Sequence, residues 1–530
     1  MTGRIYRCYV LGLLMVIYAF NFLDRQIITI LAPALKADLG LTDAQLGLLF
    51  GTAFALFYAL FGIPLAKLAD GWHRVKTISL GLGFWSAMTA VSGFAGNFAQ
   101  LGAARVGVGI GEASASPAAY SLIQDYFPKG MRATALALYS SGIYVGVGAS
   151  LIFGGAVMAY WGTHYTPQTA PFGLAGWQAT FLAFGIPGLL LALLMRLTVR
   201  EPVRGAMDGH PAPVDARPFR AVAREFATMV PPFSMIALAR AGRAPLLRNL
   251  AAFAIVVLVA ILVTSVTDAL LAPGKRLPLA TIAGLTITTN SVQWTAIALG
   301  AYCSFSWLQS IRRRDRPAAA LIGNRTFAML SLGGGLASYA SYGISPFLYL
   351  YAATTFGVGP EAGFAFGCVL ALSGGLGTVF GGWLADRARR VHPAGRLRVA
   401  MAALVCSAIV VWFQFNTANL TLFLVLIGAS NFLQIMWLAP IAASCQDLVL
   451  PRMRGAATAV FFLGTNIIGL GLGPYMVGLV SDAGGDLRFA LLSVLFVLPV
   501  TLGLFYAASR RLPALEASVA ERARLPGEAA

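Results

Sequence analysis

Charged residues are scarce in this sequence. They make up 11% of its 530 residues, whereas 58% are hydrophobic; soluble domains carry about 25% charged residues. So low a fraction excludes an ordinary soluble protein built around one core in water. The mean hydropathy of +0.76 predicts an all-α polytopic membrane protein with many apolar helices.

Cysteine and histidine are also few. Five cysteines are scattered without a Cys-x-x-Cys pair, and four histidines are spread through the loops. These spacings exclude a disulfide framework and a clustered metal site. The chain also lacks the Gly-x-x-x-x-Gly-Lys-Ser/Thr loop that holds nucleotide phosphates. We therefore expect no metal, no organic cofactor and no ATP-driven activity.

Acidic residues number 20 against 38 basic ones, which gives a net charge of +18. The basic residues lie in short loops between apolar runs, so we expect no nucleic-acid partner. The loops at 94–98, 161–176 and 356–362 hold no Lys or Arg. The positive-inside rule then places both termini in the cytoplasm, and the Arg- and Ala-rich composition indicates a bacterial inner membrane.

Fourteen apolar runs are long enough to cross a membrane, which takes about 20 residues. They are grouped as six, two and six, and a Pro- and Arg-rich stretch follows the sixth. That stretch is predicted to hold an amphipathic helix near 219–229. The predicted divisions are an N-terminal six-helix bundle (1–198), a cytoplasmic linker (199–248), an inserted hairpin (249–316), a C-terminal six-helix bundle (325–510) and a tail (511–530). The runs cover 10–34, 45–67, 76–95, 99–123, 132–160, 177–197, 249–271, 281–307, 326–355, 363–385, 398–415, 420–446, 456–481 and 487–508.

The two halves repeat short loop motifs. Leu68-Ala69-Asp70 follows the second run, and Leu384-Ala385-Asp386 follows its counterpart in the second half. Gln124-Asp125 and Gln446-Asp447 form another matched pair. Acidic side chains at helix ends pair with Arg and with helix N-termini, so we predict a latch that closes the cytoplasmic side. Its candidate residues are Asp70, Arg74, Arg132, Asp386, Arg387 and Arg454.

Four charged residues interrupt the apolar runs themselves. Asp24 and Arg25 lie in the first run, and Arg105 and Glu112 lie in the fourth. A charge at such depth costs about 3 kcal/mol unless it is paired or hydrated, and it usually marks an ion or proton pathway. We predict a proton-coupling site here. The alternative is an ion cluster that only locks two helices together.

Helix geometry predicts how these charges pair. Arg105 and Glu112 are seven positions apart, which places them about 10 Å apart along one helix face. Asp24 enters its run from the cytoplasm and Arg105 from the other side, so we predict an Asp24–Arg105 pair. Glu112 then has fewer basic side chains near it than Asp24 has, and we predict that it is the proton acceptor. Arg25 points about 100° away from Asp24 and is assigned to an outer gate.

The second half has no acidic or basic residue deep in its apolar runs. Ionisable groups on one wall of a cavity and an apolar wall opposite suit an amphiphile, although aromatic drugs fit the same description. The glycines of the fourth run, at 107, 109 and 111, are predicted to serve close helix packing. Candidate cavity residues are Asn21, Tyr58, Trp85, Tyr120, Tyr144, Phe347, Tyr351, Asn431 and Trp437.

The loop motifs resemble those of the major facilitator superfamily. Gly-x-Leu-Ala-Asp-Arg is intact at 382–387, but its first-half copy has Ala66 and Gly71 in place of the usual Gly and Arg. Within the superfamily, Asn-Phe-Leu-Asp-Arg at 21–25 and Arg-Val-Gly-Val-Gly-Ile-Gly-Glu-Ala at 105–113 are similar to the Spinster family of proton-coupled lipid transporters. The likeness covers about 1–200 and 325–510.

The resemblance implies a major facilitator fold of two six-helix bundles, here with an inserted two-helix hairpin that departs from the usual twelve spans. It implies that Asp24 and Glu112 take up protons, with Arg25 and Arg105 as their partners. It also implies a lysophospholipid or sphingoid-like substrate and a transporter rather than an enzyme. We expect a monomer whose partners are that lipid-like substrate and the membrane lipids.

We therefore expect a proton-coupled secondary active transporter that moves an amphiphile by alternating access. A proton-driven exporter of hydrophobic drugs or metabolites is the second hypothesis. A receptor or scaffold would keep the ion cluster but show no flux. Sodium coupling ranks lower because the sequence offers no cage of several oxygen ligands. The inserted hairpin is expected to pack outside the bundles, because it carries no deep charge except Asp268, which lies near its outer end.

Overall fold

Helices make up nearly all of the computed structural model, which describes residues 3–205, 207, 216–276, 278–282, 284–314, 323–449 and 454–522. The apolar runs become helices because a backbone in lipid must satisfy its polar groups internally. The helices are α1 (Arg4–Leu39), α2 (Asp43–Phe50), α3 (Thr52–Gly71), α4 (Arg74–Ser92), α5 (Phe98–Glu112), α6 (Ala115–Tyr126), α7 (Lys129–His164), α8 (Gly176–Thr198), α9 (Pro218–Ala227), α10 (Phe233–Ala239), α11 (Arg243–Leu270), α12 (Thr289–Arg314), α13 (Arg325–Ile344), α14 (Leu348–Phe356), α15 (Gly363–Val391), α16 (Gly395–Gln414), α17 (Leu420–Ile435), α18 (Leu438–Asp447), α19 (Arg454–Gly464), α20 (Gly473–Gly484), α21 (Leu487–Ser493) and α22 (Leu498–Arg522).

Ten helical segments of the described chain are long and apolar enough to cross a membrane. They include α1, α7, α8, α11 and α16; one more extends α15 back to Pro360, and the other four join two or more of the elements named above. The predicted runs at 76–95, 99–123, 281–307 and 326–355 are not among them. The chain is therefore a helical polytopic membrane protein, and the count of fourteen spans stays a prediction.

Several predicted spans are interrupted. The second is split at Gly51 into α2 and α3, and the fourth is split at 113–114 into α5 and α6. In the run predicted at 456–481, a π-helical segment, Thr465–Leu472, lies between α19 and α20. It ends directly before Gly473 and Pro474. A π segment frees carbonyls from the regular helical ladder and often marks a functional site.

Polar and glycine caps fix the ends of the helices that carry the charged residues. Gly40, with φ of +63°, ends α1 in the left-handed conformation that glycine adopts without strain. At the start of α2, Thr42 Oγ1 accepts the Gln45 N–H at 3.2 Å, and Gln45 Oε1 accepts the Thr42 N–H at 3.1 Å. Asn97 Oδ1 caps α5 by accepting the Gln100 N–H at 3.0 Å. These caps satisfy backbone groups that have no partner within the helix at each of these ends.

The inserted region differs from the predicted pair of spans. Helix α11 begins at Arg243, before the run predicted at 249–271. The span predicted to start at 281 instead begins with an antiparallel hairpin, β1 (Pro278–Ile282) and β2 (Leu285–Thr288), and α12 starts only at Thr289. That prediction was wrong because a short apolar, β-branched stretch has the same composition in a strand as in a helix. Gly284, with φ of +81°, makes the turn between the strands.

Close backbone contacts organise the first of two compact units, which comprises the described residues of 1–41, 53–227 and 348–371. A Cβ at Gly142 of α7 would lie 2.7 Å from the Met15 carbonyl oxygen of α1, and one at Gly146 would collide with the Ala19 carbonyl. In α5, a Cβ at Gly109 would lie 2.7 Å from the Phe54 carbonyl oxygen. The prediction that the glycines of this run serve helix packing is confirmed.

Gly146→Ala should loosen the contact between α1 and α7. The new methyl group meets backbone rather than a movable side chain, so we expect a loss of about 1–3 kcal/mol in the free energy of unfolding. Gly130→Ala, in the same helix, is the control because nothing lies within 4 Å of its added Cβ. Thermal unfolding in detergent checks both variants. An equal loss of stability in the two would contradict the close approach.

The second unit comprises the described residues of 42–52, 228–347 and 372–530. Its apolar core joins α13, α16, α18, α19 and α22 through buried residues that include Phe327, Leu404, Trp437, Phe461 and Phe505. Helix α2 packs against α20 within this unit, and α13 packs against the π-helical segment. The predicted division into two bundles, linker and insert stays a prediction.

The predicted amphipathic helix near 219–229 is present as α9. Phe226 packs on Phe61, with ring centroids 5.3 Å apart, and Phe219 packs on Trp72 at 5.2 Å. Arg220 and Arg224 are exposed. This division of apolar and basic side chains is typical of a helix that lies along a membrane surface.

Candidate functional site

The four charged residues of the apolar runs are all buried in the first unit. Asp24, Arg105 and Glu112 are fully covered, and Arg25 is 5% exposed. Helix α1 carries Asp24 and Arg25, and α5 carries Arg105 and Glu112. The structure thus brings together the set that the sequence singles out, but it pairs the members differently.

Arg25 is the ion-pair partner of Glu112. Its Nη2 lies 3.0 Å from Glu112 Oε2. The guanidinium also lies over three aromatic rings, with its carbon 4.6 Å from the centroid of Phe22, 4.4 Å from Phe54 and 5.0 Å from Tyr58. Such contacts favour a cation in a buried site. The expectation that Glu112 lacks a nearby cation was wrong, because α1 turns Arg25 towards α5. The role of Arg25 at an outer gate stays a prediction.

Arg105 binds backbone rather than the carboxylate of Asp24. Its Nη1 donates to the Asp24 carbonyl oxygen at 3.0 Å, and its Nη2 donates to the Arg25 carbonyl oxygen at 3.5 Å. The predicted Asp24–Arg105 ion pair is therefore replaced by a contact between a side chain and the main chain of α1. Arg105 fixes the position of the two residues whose side chains carry the charges.

The Asp24 carboxylate makes no hydrogen bond of regular geometry among the described residues. Neither of its oxygens has a partner in the described part of the chain, although the residue is fully buried. Trp85 Nε1, Ser86 Oγ and Thr89 Oγ1 of α4 are buried and, among the described residues, likewise unbonded. The Trp85 and Thr89 groups lie close enough to interact with the Asp24 carboxylate. Sequence reasoning missed Ser86 and Thr89; their position in an apolar run, at helical spacing from Leu82 and Trp85, was the available signal.

The predicted cavity residues fall into both units. In the first, Asn21 is buried and its Oδ1 lies 3.5 Å from Arg25 Nη2, and Tyr58 covers the Arg25 guanidinium. Tyr120 packs edge-on against Tyr139; Tyr144 is partly buried, and Tyr351 is buried. In the second unit, Asn431 donates to Ser373 Oγ at 2.8 Å, and Phe347 is buried. Trp437 lies in the apolar core, which is a packing position.

Among the predicted latch residues of the first unit, Arg74 makes the densest set of contacts. It is fully buried, pairs with Asp125, and lies 2.7 Å from Glu201 Oε1. Arg132 donates instead to the Phe127 carbonyl oxygen at 3.0 Å, and Asp70 is exposed. Glu201, which the sequence analysis did not name, ties the chain after α8 to the start of α4.

Arg204 adds a second tie from the linker. It donates to the carbonyl oxygens of Ala69 at 2.6 Å and Trp72 at 3.1 Å. Burial lowers the pKa of the Arg204 guanidinium below its usual value. The beginning of the linker is thereby fixed to the loop that holds the first copy of the repeated motif.

In the second unit, Arg396 joins the two acidic residues of the repeated motifs. It lies 2.8 Å from Asp386 Oδ1 and 2.6 Å from Asp447 Oδ2. Arg389 binds Glu516 through two hydrogen bonds of 2.9 and 3.0 Å. Arg387 is exposed, and the side chain of Arg454 lies outside the described residues. Arg396 and Glu516 were not predicted, and the gating role of these clusters stays a prediction.

A metal has no ready ligand set in this arrangement. Among the described residues, no three or more His, Cys, Asp or Glu side chains are grouped so that they could hold an ion. What the charged site offers is a buried carboxyl group, an ion pair beside it and polar hydrogens within reach. Such a set can accept and release a proton and can exchange ion-pair partners.

A family model now identifies the architecture. The family model described as "Major Facilitator Superfamily" matches residues 14–474 of this chain. The chain belongs to the Major Facilitator Superfamily. It is therefore a membrane transporter and not an enzyme, as the sequence predicted.

Known proteins narrow the resemblance within the Major Facilitator Superfamily. An MFS-type efflux pump of Mycolicibacterium smegmatis is 26% identical over 476 residues, 90% of this chain and 84% of that protein. Human protein spinster homolog 1 is 31% identical over 204 residues, 38% of this chain and 36% of that protein. A probable L-galactonate transporter of Escherichia coli is 29% identical over 194 residues, 36% and 40% of the two chains. The chain thus spans less than half the length of the last two relatives.

A solved structure extends the Spinster resemblance to the whole chain. The crystal structure of a bacterial homolog of the human lysosomal transporter Spinster, inward-facing and unoccupied, superimposes with a TM-score of 0.67 at 26% identity. The match covers 97% of this chain and 99% of that one. The predicted resemblance to Spinster proteins is confirmed, and this superfamily member is Spinster-like.

Proposed function

We propose that this transporter couples the movement of a lysophospholipid or sphingoid-like amphiphile to protons, with Asp24 as the protonated group. The observation that carries the proposal is the fully buried Asp24 carboxylate, which makes no hydrogen bond of regular geometry in the described structure. An ionised carboxylate in that position loses its water, and Arg105, the cation near it, donates its hydrogen bonds to backbone carbonyls instead. The loss of hydration is therefore only partly offset, which costs several kcal/mol. A bound proton removes the charge.

Deprotonation of Asp24 would have consequences for its neighbours. The Trp85 N–H and the Thr89 hydroxyl are then the donors within reach of the new anion. The new anion also repels Glu112, the carboxylate that is paired with Arg25. We therefore assign the proton to Asp24 and the exchangeable ion pair to Arg25 and Glu112, a revision of the expectation that Glu112 is the first acceptor.

The Arg25 site suits an anionic headgroup with an apolar part. Arginine recognises phosphate and carboxylate through charge-assisted hydrogen bonds. Phe22, Phe54 and Tyr58 surround the same guanidinium with apolar surface. A single-chain lipid with an anionic or zwitterionic headgroup presents both chemistries, and the Spinster resemblance supports the same substrate class.

Export of hydrophobic drugs or metabolites is the second candidate. The alignment with the mycobacterial efflux pump favours it, because that alignment covers 90% of this chain. The two candidates share the fold and the proton site, and they differ only in what displaces the Arg25–Glu112 pair. A drug without a negative charge has no reason to engage Arg25.

Flux in proteoliposomes tests the proposal. Purified protein is reconstituted in vesicles and given a fluorescent lysophospholipid, a sugar acid or a hydrophobic dye, each under a pH gradient, a sodium gradient or no gradient. Vesicles without protein measure leakage. We expect lysophospholipid movement that responds to the pH gradient alone. Dye movement without lysophospholipid movement would favour the exporter, and flux indifferent to pH would remove the proton.

A further inference from the structure

The inserted hairpin places polar side chains against helices outside the insert. Asn290 and Gln293 of α12 are buried, with at most 1% of each residue exposed to solvent. Gln293 Nε2 donates to the Gly471 carbonyl oxygen at 3.2 Å, and Asn290 Oδ1 accepts the hydroxyl of Tyr475 in α20. Gln45 of α2 reaches Thr289 Oγ1 at 3.4 Å. The first two turns of α12 thus contact both α2 and the end of the eleventh predicted run.

The Gly471 carbonyl is a meeting point of three elements. It lies in the π-helical segment, and it accepts Thr52 Oγ1 at 2.6 Å in addition to Gln293. A carbonyl released from the helical ladder needs such partners when it is buried. One donor comes from the start of α3 and the other from α12, so the insert supplies one of the two side-chain hydrogen bonds to this carbonyl.

A second tie lies at the other end of α20. Asp482 accepts the N–H groups of Asp43 at 3.2 Å and Ala44 at 2.8 Å, so its carboxylate sits on the positive end of α2. Lys275, in the turn after α11, lies 3.7 Å from Asp482 Oδ1. The insert therefore contacts this region through the Lys275 ammonium group as well as through the amides of Asn290 and Gln293.

Between these two ties, α2 and α20 touch through their backbones. A Cβ on Gly47 of α2 would collide with the Pro474 carbonyl, and one on Gly478 of α20 would collide with the Asp43 carbonyl. These two helices come from different halves of the sequence. The inference rests on the proposed transport function, in which contacts between the two halves of the sequence open and close as the substrate site changes side.

We propose that the inserted hairpin is a clamp on the α2–α20 contact, and that Gln293 and Lys275 set how readily this contact opens. The clamp acts by holding the π-helical segment at Gly471 and the helix end at Asp482 from outside the two helices that separate. Transport in this chain then depends on the insert, although the insert holds none of the four charged residues of the proton site.

Hydrogen–deuterium exchange on the full-length protein in detergent tests the clamp without any substrate. In Gln293→Leu, we expect amide exchange in 43–50 and 465–484 to quicken about fivefold, the equivalent of one lost hydrogen bond. Exchange in α4 should not change. Gln309→Leu is the matched control, because Gln309 of the same helix binds Pro245 and Asn249 within the insert region.

Lys275→Ala covers the case in which Gln293→Leu does not fold, since the Lys275 side chain is half exposed. In low salt, the variant should show faster amide exchange than the wild type at 43–46. In high salt, the two proteins should exchange at the same rate, because salt screens the Lys275–Asp482 contact in the wild type. Unchanged exchange in both Gln293→Leu and Lys275→Ala would overturn the clamp. So would an equal increase in Gln309→Leu. Neither outcome bears on the substrate or on the proton, so failure here is distinct from failure of the proposed function.

Discussion

Replacing Asp24 by asparagine should abolish gradient-driven accumulation of substrate and leave substrate exchange intact. A gradient of one pH unit is worth about 1.4 kcal/mol per proton, or about a tenfold substrate ratio across the membrane. Asparagine has nearly the same shape but binds no proton, and its amide can use the Trp85 and Thr89 groups beside it. With the coupling gone, the ratio at equilibrium should fall to about one.

Asp38→Asn is the control for this experiment. Asp38 is the other acidic residue of α1, and its Oδ2 accepts the Trp177 indole N–H at 2.7 Å, a bond that an amide oxygen can keep. Accumulation and exchange are measured side by side in the same proteoliposomes. Asp24→Asn vesicles that still accumulate substrate tenfold would remove Asp24 from the coupling. Loss of both accumulation and exchange would make Asp24 a structural residue.

Replacing Arg25 by methionine should be the most destabilising single change in the first unit. It leaves Glu112 fully buried without the cation 3.0 Å away. Removal of one partner from a buried ion pair costs about 3–5 kcal/mol, because the remaining charge is neither paired nor hydrated. The aromatic rings around Arg25 lose their cation as well. Unfolding in mixed micelles, followed by tryptophan fluorescence, should show the loss.

The double variant Arg25→Met with Glu112→Met separates stability from function. With both charges gone, nothing buried is left unpaired, and apolar replacements of ion pairs are often neutral or stabilising. We expect the double variant to regain most of the lost stability and to remain inactive in transport. A double variant that is both stable and active would show that the pair only locks α1 to α5, the alternative that the sequence left open.

The sequence was sufficient to find the charged residues but not their pairing. A charge in an apolar run is visible in the sequence, and Asp24, Arg25, Arg105 and Glu112 were all found that way. Their partners depend on how far α1 is rotated about its axis, and a residue step of about 100° moves a side chain from one neighbour to another. Packing of Gly142 and Gly146 against α1 sets that rotation, and only the structure shows it.

Some helix and strand boundaries could likewise be predicted from the sequence, and others could not. The caps at Thr42 and Asn97 and the break near Pro474 have local causes that a sequence displays. The β-hairpin at 278–288 also has a local signal, since Leu285 to Thr288 alternates apolar and threonine residues after Gly284. That signal was missed because the stretch is part of a longer apolar run that continues into α12. Glu201 and Arg396 were missed for another reason, because each pairs with residues far away in sequence that only the folded chain brings near.

The hydrogen bonds of Asn290 and Gln293 also bear on how the protein is made. Gln293 lies 178 residues before Gly471, and Asn290 lies 185 residues before Tyr475. A ribosome adds about 5–20 residues per second, so α12 is synthesised roughly 10–40 s before its acceptors exist. During that interval, two amide side chains that end up fully buried have no final partners. The insert therefore gains these contacts only after the chain as far as Tyr475 has been made, long after α12 itself.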